Sequence, residues 1–511
     1  MLTQNIGTLQ FLITAYKMHV VWFKKDCRIH DHQPLAIAAN KGPVLPLYVV
    51  EPELWQQPDM SHRHYAFLGE CIRSLNEALT DLGQPLIIRI GEILDVLTQL
   101  KAQTAFTDLW SHQETGNYWT YQRDIAVSKW CKHHDVTWHE IQNNGVVRRL
   151  PHRDGWSRAW HYHMAHPPFL APMSLTPLEL ISEPWPEANI LELSPDGCTQ
   201  PQTGGQEAAL TTLESFFAGR GKGYSRQMSS PVTAYDACSR LSPYLTFGCL
   251  SMREVYRAVN EHKGMQGWGN SIRALSGRLR WHCHFMQKLE DQPDMEWTNL
   301  HSAYNAVRQD TDFNEEHFQA WCTGNTGYPM VDACMRALTA TGWINFRMRA
   351  MLMSFASYHL WLHWRRPALH LARLFVDYEP GIHYSQCQMQ SGTTGMNTLR
   401  MYNPIKQGQD HDPEGIFVRQ WLPELLYMPA EHLHTPWHCP EYLNGYPMPI
   451  VDEATARKQA ASQLYALRKD NGFKQETAQL VQKHGSRKKT TPRKPRKPRT
   501  QPPSPQLDLP L

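Results

Sequence analysis

The side chains best suited to metal and thiol chemistry follow a pattern that argues against a metal centre. Eleven cysteines are scattered over 511 residues, and no Cys-x-x-Cys pair occurs. His-x-His pairs such as His161/His163 and His282/His284 have a spacing of two, which turns their side chains to different faces of a helix. The sequence therefore predicts no metal site. An odd number of scattered cysteines also fits a reduced, cytoplasmic compartment better than a disulfide framework.

The motifs that cradle phosphates in the commonest nucleotide-binding folds are absent. The segment GRGKGYS at residues 219–225 does not satisfy the Gly-x-x-x-x-Gly-Lys-Ser/Thr pattern of a P-loop. No Gly-x-Gly-x-x-Gly follows the first predicted strand, so an ordinary NAD-linked oxidoreductase is the least favoured enzyme class. The chain has 18 Trp and 20 Tyr instead. Aromatic residues in this number suit a protein that stacks planar groups or moves electrons, although large helical cores use tryptophan too.

The elements that must position this chemistry begin with a predicted α/β domain at residues 18–145. Short apolar runs alternate there with amphipathic stretches such as Tyr65–Leu82, whose apolar residues recur at helical spacing. This alternation favours a doubly wound parallel sheet, and such sheets bind ligands at the carboxyl ends of their strands. The five predicted strands are His19–Phe23, Val44–Val50, Leu86–Ile90, Ala105–Trp110 and Val136–Ile141.

The rest of the chain divides by composition into three segments. Residues 146–210 are rich in Pro, Gly and polar residues and predict an irregular connecting segment, whereas residues 211–462 predict a large all-helical domain. Residues 463–511 predict a basic, largely disordered tail, because from Arg487 to Arg499 eight residues are basic and none is acidic. Subtracting these eight charges from the formal net charge of +3 leaves about −5 for the remainder.

The chain ends give two further expectations. No run approaches the roughly 18 apolar residues of a membrane-spanning helix, so no membrane association is predicted. In residues 1–17, polar residues interrupt the apolar ones too often for the apolar core of a signal peptide. Met18 is followed directly by the predicted strand HVVWF. We therefore expect Met18 to be the natural start.

Three segments resemble the photolyase–cryptochrome family. They are VVWFKKDCRIHDHQPL (Val20–Leu35), ACSRLSPYLTFGCLS (Ala237–Ser251) and the stretch from TGYPMVDACMRALTATGWINFRMRAMLMSFA (Thr326–Ala356) to YNPIKQGQDHDPEGIFVRQWLPEL (Tyr402–Leu425). The resemblance covers about residues 18–460, in order and in both domains. It is to a divergent, bacterial-type member similar to deoxyribodipyrimidine photolyases. It implies an α/β N-terminal domain followed by a large all-helical FAD-binding domain.

The resemblance implies FAD contacts in a short loop before a predicted helix. The pyrophosphate of FAD needs backbone donors and hydroxyls at a turn or helix start, and Ser239, Leu241 and Ser242 can supply them. Taken alone, this loop is equally consistent with a simple helix cap. Tyr224 matches a family position that also touches the flavin nucleotide. The contacts implied here are Tyr224, Cys238, Ser239, Arg240, Leu241 and Ser242.

The resemblance also implies an ion pair, Arg349 with Asp377, against the isoalloxazine ring. A buried guanidinium there stabilises negative charge on the reduced ring, and the carboxylate keeps the cation paired; an ordinary interhelical salt bridge is the alternative. His383 aligns with the residue facing flavin N5, where the family has Asn or an acid. An imidazole titrating near neutrality could gate protonation there, and a core histidine fits as well. The remaining implied FAD contacts are His282, Tyr378 and Glu379.

On the lesion side the chain departs from the family's repair enzymes. Trp281 matches a tryptophan of the cyclobutane-dimer enzymes, but Arg278 stands where they have Glu and Phe346 where they have Asn. A guanidinium can donate to a lesion carbonyl but cannot donate as a neutral acid. Arg400 matches a lesion-side arginine. The resemblance thus implies DNA contacts at Arg278, Trp281, Phe346 and Arg400, and catalytic roles for Arg278, Trp281, Arg349, Asp377 and His383.

The electron route implied by the resemblance is incomplete. Family members often reduce FAD through three tryptophans, of which only the middle one is kept, as Trp364. The inner and outer positions hold Cys387 and Thr311. Trp361, Tyr384 and Trp343 are candidates for another route, or ordinary core aromatics.

A second, light-harvesting chromophore is common in the family's N-terminal domain. Residues 111–124 follow a predicted strand at the place where that groove lies, with Glu114 and Asn117 as candidate polar contacts. A folate, a deazaflavin and no chromophore remain open, and a capped loop explains the same residues.

The sequence as a whole predicts a light-dependent DNA photolyase that uses reduced FAD to repair UV-induced pyrimidine photoproducts by electron transfer. We expect a monomer acting on damaged DNA, with single-stranded DNA as one candidate substrate. Because Arg278 and Phe346 alter the lesion pocket, a cryptochrome-like blue-light photoreceptor without repair is the first alternative. A nucleic-acid-binding protein with a photochemically inert flavin is the second. The basic tail either adds phosphate affinity or is a solubilising end.

Overall fold

The N-terminal part of the protein is built on a five-stranded sheet in which all neighbouring strands are parallel, in the order β3-β2-β1-β4-β5. The structure, a computed structural model, describes residues 17–486. Four of the five predicted strands match to within one residue at each end, and the fourth strand in the chain, predicted at Ala105–Trp110, lies two to three residues later. The strands are β1 (His19–Phe23), β2 (Val44–Val50), β3 (Ile87–Ile90), β4 (Asp108–His112) and β5 (Thr137–Ile141).

Alternating side chains of β1 show why the sheet is covered on both faces. Val21 and Phe23 pack into one apolar cluster, and Val20 and Trp22 into another. The strand order reverses direction between β1 and β4, which opens a crevice at their carboxyl ends. The doubly wound α/β prediction is thus confirmed. The helices of this part are α1 (Gln33–Ala39), α2 (Pro52–Trp55), α3 (His62–Asp81), α4 (Ile93–Thr104) and α5 (Tyr118–His133).

Every regular element described after β5 is helical, in agreement with the predicted second domain. A π-helical turn, Phe355–His359, extends α15, and short 3-10 turns fill the connections. The helices are α6 (Trp156–Ala165), α7 (Gln206–Ala218), α8 (Tyr224–Gln227), α9 (Pro231–Ala237), α10 (Ser242–Thr246), α11 (Met252–Glu261), α12 (Gly269–Asp291), α13 (Glu315–Thr323), α14 (Pro329–Thr341), α15 (Phe346–Ser354), α16 (Arg365–Leu374), α17 (Pro380–Ser391), α18 (Pro404–His411), α19 (Ile416–Trp421), α20 (Glu453–Leu467) and α21 (Asn471–His484).

The segment at residues 146–210 is less irregular than predicted, because it contains α6. Trp156, Trp160 and Met164 lie one turn apart on this helix and are all buried. That spacing is a helical signal in the sequence, hidden by the Pro- and Gly-rich stretches on either side.

The predicted tail from residue 463 is wrong in its first part, since α20 continues to Leu467 and α21 follows. Asp470 caps α21 by accepting a hydrogen bond from the Phe473 amide, and the Phe473 ring stacks on His301 with centroids 3.9 Å apart. The helix is largely polar and buries only Phe473, Leu480 and His484, which explains why composition suggested a tail. The basic run Arg487–Arg499 and residues 1–16 lie outside the described residues.

Within residues 17–486, no helix combines the length and apolar character needed to cross a membrane.

The stacking of Phe473 on His301 should hold α21 against the rest of the helical domain. Phe473→Ala removes the stacking surface on His301 and should lower the stability of the docked helix by about 3 kcal/mol. Hydrogen exchange should then accelerate in residues 471–484 and stay unchanged in the sheet. Val481→Ala, at a side chain that is 45% exposed, is the matched control. Equal exchange in both variants would show that the ring does not hold the helix.

Candidate functional site: an internal cavity in the helical domain

A large cavity opens among α8, α10, α12, α15 and α17. Its volume is about 280 Å³, close to the lower end of the range for small-molecule and cofactor pockets. Most of the sequence-predicted FAD contacts line it. These are Tyr224, Cys238, Ser239, Arg240, Ser242, Arg349, Asp377, Tyr378, Glu379 and His383, and the predicted DNA contacts Arg278 and Phe346 lie on the same wall.

One wall carries a bidentate ion pair. Arg349 Nη1 and Nη2 donate to the two carboxylate oxygens of Asp377, both at 2.9 Å. Burial opposes ionisation of Asp377, but the Arg349 guanidinium and the Ser242 hydroxyl outweigh it and lower the pKa of this carboxyl. Arg349 Nε donates to the Ile344 carbonyl, 2.7 Å away, which fixes the plane of the guanidinium. The pair therefore presents a permanently charged, rigid cation to the cavity.

A second cation, Arg240, stands on the loop before α10. Its backbone is left-handed, with φ of 60°, and its guanidinium is sandwiched between the rings of Tyr235 and Trp343 at 4.1 and 4.0 Å. Nη2 donates to Gln202, whereas buried Nη1 has no hydrogen-bond partner among the described residues. A buried N–H donor without a partner is costly, so this arginine fits a site whose occupant is an anion.

Arg220 holds the loop that carries Arg240 in place. Arg220 donates to the carbonyls of Asp236, Cys238 and Ser239, which leaves the Ser239 and Ser242 side chains on the cavity wall. Two hydroxyls and an unpartnered guanidinium suit the pyrophosphate of FAD, so the residues present fit the group. Leu241 is the exception among the predicted contacts, since its side chain is buried away from the cavity.

His383 lies on the wall, but its chemistry differs from the expectation. Its Nε2–H donates to the Ala368 carbonyl at 2.8 Å, so this nitrogen holds the proton. Burial lowers the pKa of His383 to about 4, and the nearby Arg349 adds to that shift. The imidazole is therefore neutral near pH 7, and the predicted titration near neutrality is wrong.

Glu379 lines the main cavity and also a smaller polar cavity between the sheet and α12. Burial raises the pKa of Glu379 to about 7, partly offset by Lys25. His282, predicted as an FAD contact, lines only the smaller cavity, where its buried Nδ1 has no partner among the described residues. His112 faces the same space from β4. His32 and His112 both bond to the Asp26 carboxylate, at 2.9 and 2.7 Å, in the one group of possible metal ligands in the described chain.

The structure does not bring every predicted residue to the main cavity. Trp281 lines a separate surface pocket, although Arg278 lies only one turn before it on α12. Arg400 lies on an irregular segment and does not line the cavity. Gln386 and Gln390 were not predicted; they follow His383 by three and seven residues on α17, a helical spacing that sequence reasoning could have used.

Among the predicted electron-transfer residues, Trp364 and Tyr384 form a series of neighbouring rings that leads to the cavity wall. Their ring centroids are 6.4 Å apart, and Tyr384 is 6.4 Å from Tyr378 on the cavity wall. Trp361 instead packs against the Arg308 guanidinium at 5.4 Å, in the cluster that holds α20 and α21.

A further cavity occupies the crevice at the carboxyl ends of β1 and β4. Both predicted antenna residues line it. Glu114 pairs with Arg123 at 2.6 Å, and Asn117 caps α5 through the Thr120 amide while donating to Asp59. Asn117 thus has the capping role as well as a place on the wall.

The chain combines a doubly wound sheet, a helical domain and a cavity lined by the Arg349–Asp377 ion pair, and it is similar to known flavoproteins. Two family models match: DNA photolyase over residues 19–152, and the FAD-binding domain of DNA photolyase over residues 275–466. A deoxyribodipyrimidine photo-lyase of Streptomyces griseus is 30% identical over 86% of this chain and 97% of its own length. A cryptochrome DASH of Gloeobacter violaceus is 27% identical over 85% and 93%.

A solved structure of a photolyase has the same fold. A bacterial class III photolyase from Agrobacterium tumefaciens superposes with a TM-score of 0.77, at 27% identity, over 89% of this chain and 98% of that one. The chain belongs to the photolyase–cryptochrome family, and its helical domain is the family's FAD-binding domain. The resemblance predicted from the three sequence segments is confirmed.

The Arg349–Asp377 pair predicts a non-additive response to mutation. Arg349→Met leaves a buried carboxylate without its cation and should lower the free energy of unfolding by about 3 kcal/mol. Adding Asp377→Asn should restore part of that loss, because a neutral amide needs no cation. Urea unfolding of the single and double variants measures this cycle. Additive losses would contradict it. Arg257→Met, in an exposed pair with Glu261, should cost at most about 1 kcal/mol.

Glu379 predicts a pH dependence of stability. Its folded pKa of about 7 lies above the ordinary 4.5, so the native protein holds a proton that the unfolded chain releases in this window. The contribution of Glu379 to stability therefore falls as the pH rises from 4.5 to 7. The free energy of unfolding of Glu379→Gln, taken relative to that of wild type, should therefore be about 3 kcal/mol higher at pH 8 than at pH 4.5.

Denaturation of the FAD-loaded protein at both pH values measures this gain. Glu77→Gln, at an exposed side chain on α3, is the matched control and should not show this gain. A gain that is the same at both pH values would mean that Glu379 does not carry the extra proton.

Proposed function

We propose that this protein is a light-dependent DNA photolyase that acts on UV-induced pyrimidine photoproducts, with reduced FAD in the main cavity. The observation that carries the proposal is the position of Arg278 and Phe346 on the same cavity wall as the Arg349–Asp377 pair. A lesion entering the mouth would meet donors and an aromatic face next to the flavin site. When bound, reduced FAD supplies the electron that, after light absorption, splits the dimer and is then returned.

The chain's own residues define what such a lesion would contact. The Arg278 guanidinium lies over the Phe346 ring at 5.1 Å and also contacts the Tyr224 hydroxyl. Stacking on Phe346 fixes the plane of the guanidinium, so that its N–H groups can donate to the carbonyl oxygens of a flipped pyrimidine pair. A fixed cation at this place also favours negative charge on the lesion.

The aromatic series Trp364–Tyr384–Tyr378 is the route that we propose for electrons entering the cavity. Consecutive ring centroids are 6.4 Å apart, and all three residues are buried. The Trp364 indole N–H donates to Asn299 at 2.8 Å, which holds the first ring in place. The two tyrosines thus take the place of the inner tryptophan, whose position holds Cys387.

A blue-light photoreceptor without repair is the second candidate, and the same Arg278–Phe346 pair favours it. The guanidinium cannot donate as a neutral acid, and the phenyl ring replaces an amide, so the lesion-recognition chemistry of the repair enzymes is altered. The family likeness includes cryptochrome DASH as well as photolyases. In either case the crevice cavity with Glu114 and Asn117 is the place we propose for a second chromophore, a folate or a deazaflavin.

A repair assay separates the two candidates. The purified protein, with its FAD reduced chemically, is illuminated with oligonucleotides that carry a cyclobutane dimer or a (6-4) product, single- and double-stranded. We expect restored bases in light and none in the dark. Arg278→Gln should slow repair about tenfold through the loss of a charge-assisted hydrogen bond. Arg273→Gln, at an exposed site on the same helix, is the matched control. Photoreduction of the flavin without any restored bases would contradict the photolyase proposal and support the photoreceptor candidate.

A further inference from the structure

The small polar cavity between the sheet and α12 lies next to the main cavity, and Glu379 lines both. Its volume is about 40 Å³. A polar cavity needs roughly 10–15 Å³ to hold one water, so this one takes about three. Gln113, Thr115 and Asn144 also line it and are half-buried, so part of its wall is accessible to solvent. The cavity therefore has the position of a water-filled connection between the protein surface and the flavin site.

A fixed series of hydrogen bonds ends at one wall of this cavity. His32 Nδ1 accepts from the Leu35 amide at 3.1 Å, so the proton of this ring is on Nε2, which donates to Asp26 at 2.9 Å. Burial opposes ionisation of Asp26, but the two neighbouring histidines outweigh it and hold the pKa of this carboxyl well below its usual range. A carboxylate cannot donate, so His112 Nδ1–H donates to it at 2.7 Å. The lone pair of His112 is therefore on Nε2.

The same hydrogen bonds argue against a metal ion at Asp26, His32 and His112. A metal needs a lone pair on each imidazole nitrogen that it contacts. The Nε2 of His32 holds a proton instead, because its Nδ1 is taken by the Leu35 amide. The three side chains thus fix the orientation and tautomer of His112.

Two histidines border the cavity as hydrogen-bond acceptors or donors without a protein partner. The buried Nε2 of His112 and the buried Nδ1 of His282 have none among residues 17–486, which is costly unless water supplies one. Burial lowers the pKa of His112 to about 3 and that of His282 to about 4, so both imidazoles are neutral near pH 7. Both rings are therefore suited to hold waters in the cavity in fixed positions.

Glu379 is the acid between the two cavities. Its side chain is buried, and burial raises the pKa of the carboxyl to about 7. An acid whose pKa is close to the working pH is well suited to give up and regain a proton. His383, on the same wall of the main cavity, does not compete for this role, because its Nε2–H already donates to the Ala368 carbonyl.

The charged groups around Glu379 come from both domains. Lys25 favours the Glu379 carboxylate, and Glu114 opposes it. On the main-cavity side, the charges of Arg349 and Asp377 offset each other at 2.9 Å. The cation of Lys25 therefore stabilises the carboxylate that remains once the proton has left. The charged and titratable groups that line the cavities near Glu379 include Lys24, Lys25, Glu114, His282, Arg349 and Asp377.

We propose that Glu379 passes protons from the small cavity to the flavin cavity, and that His112 and His282 position the waters that reprotonate it. When an electron reaches FAD, the O–H bond of the Glu379 carboxyl breaks and the proton moves into the main cavity. A water in the small cavity then gives a proton to the carboxylate and regains one from solvent. The inference rests on the proposed delivery of electrons to FAD but not on repair, so it applies to a photolyase and to a photoreceptor.

Time-resolved infrared spectroscopy of the FAD-loaded protein after a blue flash, with a thiol as reductant, tests the proton step. The C=O band of a protonated carboxyl should disappear after the flash and then return. Glu379→Gln should lack this change, whereas Glu379→Asp, which keeps a carboxyl, should show it at a shifted frequency. His112→Leu and His282→Leu should keep the disappearance but slow the return about tenfold.

Matched controls separate the relay from general effects. His163→Leu removes another imidazole whose buried Nε2 has no partner in the described chain, but which lines neither cavity. Glu254→Gln changes a half-buried carboxyl in the capping box of α11. Both controls should behave like wild type, and an unchanged flavin spectrum shows that each variant is folded. His282→Leu leaves the hydrogen bonds of Asp26 in place, so it tests the waters even where His112→Leu fails to fold.

Three results would overturn the inference. The first is a wild-type protein with no carboxyl change after the flash, and the second is a change that persists in Glu379→Gln. The third is a wild-type rate of return in the histidine variants, which would mean that the cavity waters are structural only.

The outcomes also separate this inference from the proposed function. A carboxyl change that depends on Glu379, in a protein that restores no damaged base, would keep the relay and remove the photolyase. Repair by the chemically reduced protein, without any carboxyl change during photoreduction, would keep the photolyase and remove the relay.

Discussion

The bidentate contact between Arg349 and Asp377 is the interaction on which the cavity depends. It joins α15 to the connection between α16 and α17, and it places a permanent cation on the cavity wall. The buried Asp377 carboxylate would be costly without its cation, so the pair fixes the spacing of these elements as well as the charge of the site. Around it, the Ser242 hydroxyl and Arg240 draw the loop before α10 towards the same space. A site for an anionic, redox-active group follows from that arrangement.

Tyr378, next to this pair in sequence, couples the two domains. Its hydroxyl donates to Asp59 of the N-terminal domain at 2.6 Å, and its ring lines both the main cavity and the crevice cavity at the sheet. Arg28 crosses the boundary in the other direction by donating to the Gly248 carbonyl. A chromophore in the crevice would thus be separated from the flavin site by a layer of fixed polar and aromatic side chains. Such a layer holds the two cavities in one orientation, which energy transfer between chromophores requires.

The sequence was sufficient for the sheet and for most of the cavity wall, because buried parallel strands are nearly continuous apolar runs and the flavin contacts lie in contiguous motifs. It failed where the deciding contact is remote. Nothing near His383 indicates that its Nε2–H is taken by the Ala368 carbonyl, so the pKa expectation was wrong. Helix α21 is polar along most of its length and is held by contacts that are remote in sequence, such as the Phe473 ring on His301, 172 residues away. Trp281 and Arg278 are one turn apart, but their separation into two pockets depends on α6, which flanking Pro and Gly residues concealed.

In the proposed photolyase, Arg278, which stands where the family's repair enzymes have an acid, sets the chemistry of the wall that would meet the lesion. A neutral carboxyl donates one proton to a carbonyl oxygen that gains charge, whereas a guanidinium offers several fixed N–H donors and a full positive charge. Phe346 beneath it removes an amide but holds the guanidinium flat. In the proposed photolyase, such a wall stabilises an anionic lesion by charge instead of by proton donation.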